Sequence, residues 1–250
     1  MAIEESKVLE KYFDKIAPNY QFMNKLLSLN LDSSWRKNLL NRTKLKHKDV
    51  VLDVACGTCD ILNTLGSHTL KSNLDITYIG LDLSFGMLAT SKKNQVPFEL
   101  IRGNGVRFPM KNNSVNLVTI SFGYRNMPTH SQFLEEAFRV LKPGGQLLIL
   151  ELTQPENPLI RLGNQIYLST ILPLVSSAFG RDKQAYHYLA ESIRAFPNQK
   201  AVCSDLEKHG FNPSSYYLLN FGITTLFEAF KPNTPTPKEP LKIEPVPKPC

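Results

Sequence analysis

The chain has 250 residues, a net charge of +7, 42% hydrophobic and 20% charged residues, which is the composition of a globular protein with a sizeable core and excludes a disordered or fibrous chain. Four cysteines at this length exclude a disulfide scaffold and favour a cytoplasmic location. Lysine and arginine form only small clusters without interleaved aromatic residues, so no nucleic-acid partner is predicted. A solvated surface or weak attraction to anionic lipid explains the charge.

Residues 1–48 are predicted to form an N-terminal helical cap. Apolar residues recur there at helical spacing, Pro18 interrupts the pattern, and no strand pattern is present. The N-terminus also lacks the apolar stretch of a signal peptide. The apolar face of the first predicted helix consists of Leu9, Tyr12, Phe13 and Ile16.

From residue 49 short apolar runs alternate with helix-like segments, which predicts a Rossmann-like α/β fold with a mostly parallel sheet. The predicted strands are 50–55, 76–81, 98–102, 116–121 and 147–150, with helices at 84–93 and 131–141. Two later runs, 216–219 and 224–230, predict an antiparallel hairpin at one sheet edge. A turn is predicted at Pro143-Gly144-Gly145.

Residues 155–200 are predicted to form a helical insertion, or lid, within a domain that spans residues 49–230. Its most apolar part, 166–179, is too short to cross a bilayer and contains Pro173. This part fits a groove for an apolar ligand or a contact with a membrane surface, and equally a core helix or a homodimer interface. Residues 231–250, rich in proline and lysine, are predicted to be a disordered tail.

The strongest chemical signal is a strand, a small-residue turn and a helix spelled by Val51-Leu52-Asp53-Val54-Ala55-Cys56-Gly57-Thr58-Cys59-Asp60. Gly57 lets the backbone approach a ligand closely. About 24 residues after Thr58, Asp82 ends the second predicted strand, where a carboxylate accepts hydrogen bonds from ribose hydroxyls. Since a dinucleotide site has three glycines around a pyrophosphate, the single glycine favours a phosphate-free nucleoside such as S-adenosylmethionine, with Asp53 facing its ammonium group.

Two alternatives for this loop remain open. The sequence Cys56-Gly57-Thr58-Cys59 is also a C-x-x-C motif, which a thioredoxin-like dithiol would have. A zinc site would need a second close cysteine pair, but Cys203 and Cys250 are isolated, so no metal is predicted. A strand–turn–helix that binds nothing is the other alternative.

Four further motifs are specific when they occur together. They are Tyr20-Gln21-Phe22-Met23-Asn24-Lys25-Leu26-Leu27-Ser28 closing on Trp35, Ile120-Ser121-Phe122-Gly123-Tyr124-Arg125-Asn126, Arg139-Val140-Leu141-Lys142-Pro143-Gly144-Gly145 continuing to Glu151, and Tyr188-Leu189-Ala190-Glu191-Ser192-Ile193. With them the chain, over about residues 10 to 231, resembles the menaquinone/ubiquinone biosynthesis C-methyltransferases, the family of demethylmenaquinone methyltransferase. The resemblance implies a class I methyltransferase sheet and contacts to S-adenosylmethionine from Thr58, Asp82, Asn104, Gly105 and Ser121.

The chain departs from the family pattern at four positions. Gln21 stands where aspartate is usual, Asp32 where histidine is usual, Cys59 where glycine is usual and Gly105 where alanine is common. Cys59 adds a side chain to the cofactor loop, and we expect it to lower cofactor affinity. The changes at Gln21 and Asp32 weaken any role assigned by analogy to the helices of the predicted N-terminal cap.

The resemblance implies methyl transfer to a ring carbon of a prenylated hydroquinone, with demethylmenaquinol as the preferred acceptor, at a cytoplasmic site with peripheral contact to the inner face of the membrane. A benzoquinol of ubiquinone biosynthesis and a non-catalytic S-adenosylmethionine-binding scaffold are the alternatives. The ring carbon gains nucleophilicity when the neighbouring phenol, with a pKa near ~10, loses its proton.

Arg125 follows the fourth predicted strand at the carboxyl edge of the sheet and is the candidate for stabilising the phenolate. A structural ion pair with a carboxylate is its alternative role. Tyr124 and His187 are the candidate proton acceptors. The predicted ring pocket is lined by Phe13, Phe22 and Met23.

Overall fold

A seven-stranded sheet with helices on both faces follows three N-terminal helices in the described part of the chain, which is residues 2–91, 96–172 and 183–233 of the computed structural model. The strands are β1 (Val50–Val54), β2 (Thr77–Asp82), β3 (Glu99–Arg102), β4 (Val115–Ser121), β5 (Leu141–Leu152), β6 (Ser214–Leu219) and β7 (Thr224–Phe230). The helices are α1 (Ala2–Ile16), α2 (Tyr20–Leu27), α3 (Asp32–Leu40), α4 (Asp60–Lys71), α5 (Phe85–Thr90), α6 (His130–Val140), α7 (Pro158–Ile166), α8 (Lys183–Ala195) and α9 (Gln199–Lys208).

The strand order in the sheet is β3-β2-β1-β4-β5-β7-β6. Strands β1 to β5 are parallel, whereas β7 runs antiparallel to both β5 and β6. The predicted Rossmann-like sheet and its antiparallel edge hairpin are therefore confirmed. The strand order reverses between β1 and β4, and in such sheets ligands bind in the crevice beside the carboxyl ends of the strands at this point.

The turn predicted at Pro143-Gly144-Gly145 is instead a bulge inside β5. The register passes from Val115 opposite Leu141 to Leu117 opposite Gln146, so four residues of β5 face one residue of β4. Gly144 has a φ of +75°, and a Cβ there would lie 2.6 Å from Asn233 Oδ1. The bulge lets β5 begin six residues before the predicted strand, and the positive φ at its centre favours glycine.

Three apolar clusters hold the layers together. One face of the sheet packs on α6 and α9, and the other packs on α3 and α4. A third cluster joins α1 and α2 to the predicted insertion through Met23, Leu168, Leu172, Leu189 and Ile193. Helices α1 and α2 and the predicted insertion therefore pack together in one layer. The division of the chain into domains stays a prediction.

The predicted tail and part of the predicted lid lie outside the described residues, at 234–250 and 173–182. Within the predicted tail, however, Lys231 is anchored, because its ammonium group donates to the carbonyl oxygens of Phe138 and Leu141 at 2.7 and 2.8 Å. Among the helices that are described, none is long and apolar enough to span a bilayer.

Candidate active site

Two adjoining cavities lie at the carboxyl edge of the sheet. The sheet-edge cavity is lined by α1 and by the segments after β1, β2, β3 and β4, including Glu10, Gly57, Asp82, Ser84, Asn104, Gly105, Ser121 and Met127. The helical cavity is lined by α1, α2, α3 and α8, by the segment after β4 and by the end of β5, including Tyr12, Met23, Ser28, Asp32, Trp35, Arg125, Leu152, Tyr188 and Leu189. The cavities share Phe13, Tyr20, Phe122 and Asn126, so they lie next to each other.

Asp82 is oriented toward the sheet-edge cavity by backbone donors. The Gly57 N–H donates to Asp82 Oδ2 at 2.8 Å, and the Ser84 N–H donates to Oδ1 at 2.8 Å. Burial raises the pKa of Asp82, while these two hydrogen bonds oppose that rise. Each carboxylate oxygen retains a further lone pair, so the group is able to accept hydrogen bonds from two ligand hydroxyls.

Helix α1 covers the Asp82 carboxylate and is held there by hydrogen bonds. Asp14 Oδ1 accepts hydrogen bonds from Ser84 Oγ at 2.6 Å and from the Gly86 N–H at 2.8 Å. The bond from Ser84 holds the pKa of Asp14 below its ordinary value, with the Gly86 bond adding to the effect. Glu10 of α1 pairs with Arg102 at the end of β3. Neither acid is predicted from the sequence, because no motif links α1 to the segment after β2 or to the end of β3.

Five of the seven predicted cofactor residues line the sheet-edge cavity: Gly57, Asp82, Asn104, Gly105 and Ser121. Ser121 Oγ is buried without a hydrogen-bond partner among the described residues, which fits a polar ligand group at this position. A Cβ on Gly105 would lie 2.8 Å from both Met127 Sδ and Met127 Cε, so glycine leaves room for this side chain. These features fit a ligand with polar groups in this cavity.

The other two predicted cofactor residues lie behind the loop. Asp53 is buried and accepts a hydrogen bond from Thr119 Oγ1 at 2.6 Å, and burial raises its pKa to about 7. Thr58 is also buried and donates to Asp60 Oδ2 at 3.0 Å. Neither is among the residues that line the cavity, so the geometry favours a role in holding the loop over direct ligand contact.

The C-x-x-C segment contains two free, buried thiols whose Sγ atoms are 3.8 Å apart. The hydrogen bond from Cys59 and burial raise the pKa of Cys56 well above its ordinary value. A reactive dithiol needs a lowered thiol pKa, so this environment does not favour the thioredoxin-like alternative. Within the described residues, no group of three histidine, cysteine or acidic side chains is arranged to hold a metal ion.

Cys59 adopts the left-handed conformation, with φ 64° and ψ 29°, immediately before α4. This conformation explains why glycine is usual at this position in the family that the sequence resembles, because a side chain there costs ~1 kcal/mol or more.

We expect the variant Cys59→Gly to be about 1 kcal/mol more stable than Cys59→Ala, since both lose the thiol and only alanine keeps the strained Cβ. Urea unfolding of the two variants measures this difference. A more stable alanine variant would show that the loop relaxes without cost.

Arg125 lies in the helical cavity and also forms the ion pair that was its alternative role. Its Nη1 donates to Glu151 Oε1 at 2.5 Å and to the Phe122 carbonyl at 2.8 Å, and its Nε donates to Ser192 Oγ at 3.3 Å. The Arg125 N–H also donates to Glu151 Oε2 at 3.0 Å. Since Glu151 is fully buried, the guanidinium is held in one orientation at the cavity wall.

Of the two predicted proton acceptors, only Tyr124 has a side chain that the structure describes, and it lies in the core. Tyr124 is only 1% exposed, stacks on His130 with a ring distance of 4.4 Å, and lines neither cavity. Burial raises the pKa of Tyr124, so its position favours a core role and not proton transfer. The side chain of His187 lies outside the described residues. Of the predicted ring pocket, Phe13 and Met23 line the helical cavity, whereas Phe22 does not.

Two tyrosines that were not among the predicted site residues line the cavities. Tyr20 lies where the two cavities meet, and Tyr188 donates from its hydroxyl to Asn126 Oδ1 at 2.9 Å. Burial raises the pKa of both phenols, and the nearby positive charge of Arg125 opposes the rise. Both tyrosines belong to the specific motifs, which is the signal that could have found them. The motifs do not show, however, which of their side chains face the ligands.

Comparison of the amino-acid sequence with known proteins shows the family of the chain. Residues 1–231 match the ubiE/COQ5 methyltransferase family. The demethylmenaquinone methyltransferase of Lactiplantibacillus plantarum is 38% identical over 84% of this chain and 90% of its own length. The mitochondrial 2-methoxy-6-polyprenyl-1,4-benzoquinol methylase of Dictyostelium discoideum is 31% identical over 91% of this chain and 82% of its own length.

A similar fold occurs in a solved S-adenosylmethionine-dependent methyltransferase of Thermotoga maritima, a possible histamine N-methyltransferase. The two share a TM-score of 0.63 at 13% identity, over 89% of this chain and 99% of the other. At this identity the likeness concerns the fold alone.

Proposed function

Because the chain belongs to the ubiE/COQ5 methyltransferase family, we propose that it methylates a ring carbon of a reduced, prenylated quinol, with demethylmenaquinol as the preferred acceptor. The observation that carries the proposal is the junction of the two cavities. One contains a carboxylate suited to a ribose, the other contains a fixed guanidinium, and Tyr20 and Phe122 line both. A donor and an acceptor bound there would meet directly.

S-adenosylmethionine, which supplies a methyl group on a positively charged sulfonium, fits the sheet-edge cavity. We assign the ribose hydroxyls to Asp82 and a polar group of the cofactor to Ser121 Oγ. Asn104 and Gly105 follow β3 and are assigned to the adenine edge. Asp53 and Thr58 support the loop from behind.

Arg125 is assigned to the quinol oxygen next to the methylated carbon. A guanidinium favours the phenolate over the phenol, so it lowers the free energy needed to transfer the proton to a base, for which His187 stays the candidate. The Tyr188 oxygen, whose proton is donated to Asn126, accepts a hydrogen bond from the same quinol hydroxyl. The apolar lining from Phe13, Met23 and other residues excludes water, which strengthens these interactions.

An apolar groove of about 330 Å³ continues from the helical cavity and is assigned to the prenyl tail. The groove shares Ser28, Trp35, Leu152 and Leu189 with the helical cavity, so ring and tail positions are continuous. Its remaining wall comes from the turn after α2, from α7 and the π-helical turn that follows it (Tyr167–Ile171), from α8, and from the residue before β7, including Leu29, Leu31, Ile160, Gly163, Tyr167, Leu168, Ile193 and Ile223.

Exposed apolar side chains beside the groove are assigned to peripheral contact with the membrane that holds the prenylated substrate. Leu159 of α7 is 80% exposed and Phe221, near the groove residue Ile223, is 79% exposed. A matched leucine, Leu70, is 51% exposed on α4 and lines none of the cavities described above. This arrangement supports peripheral contact with a membrane surface, and contact with the inner face from the cytoplasm stays a prediction.

We expect Leu159→Ser and Phe221→Ser each to lower binding to lipid vesicles about tenfold, because each removes roughly 1.5–3 kcal/mol of apolar burial in the bilayer. Vesicle sedimentation measures the partitioning, and Leu70→Ser is the control that should leave it unchanged. Equal loss in all three variants would contradict a specific membrane-facing surface.

Methyl-transfer assays with purified protein and S-adenosylmethionine test the proposed function. We expect a higher kcat/KM with demethylmenaquinol than with the corresponding benzoquinol. The second candidate acceptor, the benzoquinol, is supported by the similarity to the Dictyostelium benzoquinol methylase, and a reversed preference would select it. Cofactor binding without transfer to either quinol would favour the non-catalytic scaffold.

A further inference from the structure

A buried carboxylate in the helical cavity has no role in the mechanism above. Asp32, the first residue of α3, is 4% exposed and lines the cavity. Its Oδ1 accepts a hydrogen bond from Ser28 Oγ at 3.2 Å, and its Oδ2 pairs with Arg36. Ser28 lines the same cavity, so the polar group formed by Asp32 and Ser28 belongs to the acceptor site.

This polar group is separate from the one around Arg125. Arg125 is paired with Glu151 and lies on the segment after β4, whereas Asp32 is paired with Arg36 on α3. Between these elements lie aromatic rings, because Trp35 of α3 contacts Phe122 with ring centroids 5.8 Å apart. The cavity therefore offers an aromatic surface with a cation contributed from one element and a carboxylate from another.

The two oxygens of a quinol differ from those of a quinone in what they can donate. A para-quinol has two hydroxyl groups, which donate hydrogen bonds, while the oxidised quinone has two carbonyl oxygens, which only accept them. The Arg125 guanidinium donates to either form and does not discriminate between them. A carboxylate only accepts, so it binds a hydroxyl and has no hydrogen bond to offer a carbonyl.

We propose that Asp32 accepts a hydrogen bond from the second quinol hydroxyl and thereby selects the reduced form of the acceptor, an inference that rests on the proposed function. The pairing with Arg36 and Ser28 holds the carboxylate in place and leaves a lone pair on each oxygen for the ligand. Only the reduced ring has a nucleophilic carbon, so discrimination against the quinone prevents unproductive occupation of the cavity. Asp32 is a specificity-determining residue in this scheme.

The test is Asp32→Asn, because the amide has nearly the same shape and is able to donate to a carbonyl. We expect the KM for the quinol to rise about tenfold and the inhibition constant of the matching quinone to fall about tenfold, while S-adenosylmethionine affinity changes less than twofold. Asp49→Asn is the control, because Asp49 is also buried and accepts a backbone hydrogen bond from Lys46 outside the cavity. Thermal unfolding of both variants shows whether they fold with the stability of the wild-type protein.

A second measurement needs no variant. An acceptor whose second hydroxyl is methylated has lost that donor, so we expect the wild-type protein to bind it about tenfold more weakly than the parent quinol. The proposal is overturned if the ratio of the quinone inhibition constant to the quinol KM is unchanged in Asp32→Asn. If that variant does not fold, the proposal is overturned by equal affinity of the wild-type protein for the quinol and its methylated form. Both results leave the proposed function intact, whereas absence of quinol methylation by the wild-type protein overturns the function itself.

Discussion

Replacing Asp82 with asparagine is expected to weaken S-adenosylmethionine binding about 100-fold while the protein remains folded. A hydrogen bond to a charged group contributes about 1.5–3 kcal/mol, and about 2.7 kcal/mol corresponds to a 100-fold change in Kd. The amide has one acceptor oxygen, yet Gly57 and Ser84 already direct one backbone N–H to each side-chain oxygen of Asp82. The variant therefore loses its bond to a ribose hydroxyl and one bond that orders the loop. Isothermal titration with S-adenosylmethionine measures the loss.

Asp75→Asn is the matched control, because Asp75 is an exposed residue just before β2 and lies outside the cavities. The affinity of Asp75→Asn for S-adenosylmethionine should equal that of the wild-type protein. Unchanged affinity in Asp82→Asn would remove the ribose assignment, and the second candidate for that position would be Glu10, which lines the same cavity.

The affinity for S-adenosylmethionine should also depend on pH through Asp82. Burial raises the pKa of this carboxyl, so its ionised form is lost on acidification earlier than that of an ordinary aspartate. The ionised form accepts the ribose hydrogen bonds, so affinity should fall as pH decreases through the raised pKa. Titrations across a pH series test this direction, and the dependence should be weaker in Asp82→Asn.

Replacing Arg125 with lysine is expected to lower kcat about 100-fold, with cofactor affinity changed less than twofold. Lysine keeps the positive charge, but it lacks the planar fork that here contacts Glu151, Phe122 and Ser192. A displaced cation stabilises the developing phenolate less, and loss of one such electrostatic contact typically costs about 100-fold or more in rate. Single-turnover methyl transfer to the quinol measures the effect.

Lysine is more informative here than alanine. Truncation to alanine would leave Glu151 buried without a countercharge, which costs about 3–5 kcal/mol and confuses stability with catalysis. Arg194→Lys, an exposed position on α8, is the control and should keep normal turnover. Normal turnover in Arg125→Lys would assign this arginine to the structural ion pair alone.

Asp82 and Gly57 illustrate what the amino-acid sequence predicts well. The alternation of apolar strands and helices predicts parallel strands, and parallel strands place their carboxyl ends at one sheet edge. Residues that follow β1, β2, β3 and β4 are then expected to be neighbours, as the sheet-edge cavity confirms.

Tyr124 and Arg125 illustrate the limit of such reasoning. They are adjacent in a short 3₁₀ turn, yet one side chain enters the core beside Phe133 and the other lines the helical cavity. Adjacent side chains in a tight turn diverge, and no local pattern tells which one faces a ligand.

The sequence by itself therefore determined the strands, the cofactor edge and the family motifs, because hydrophobic periodicity is a property of short stretches of chain and right-handed crossovers then bring the carboxyl ends of the parallel strands to one edge. Only the tertiary structure decided which residues of α1, α2, α3 and α8 line the cavities. Asp14 accepts a hydrogen bond from Ser84, 70 residues later, and Tyr188 donates one to Asn126, 62 residues earlier. Such contacts depend on how the helices pack over the sheet, and that packing is set by the whole apolar interior rather than by any single motif.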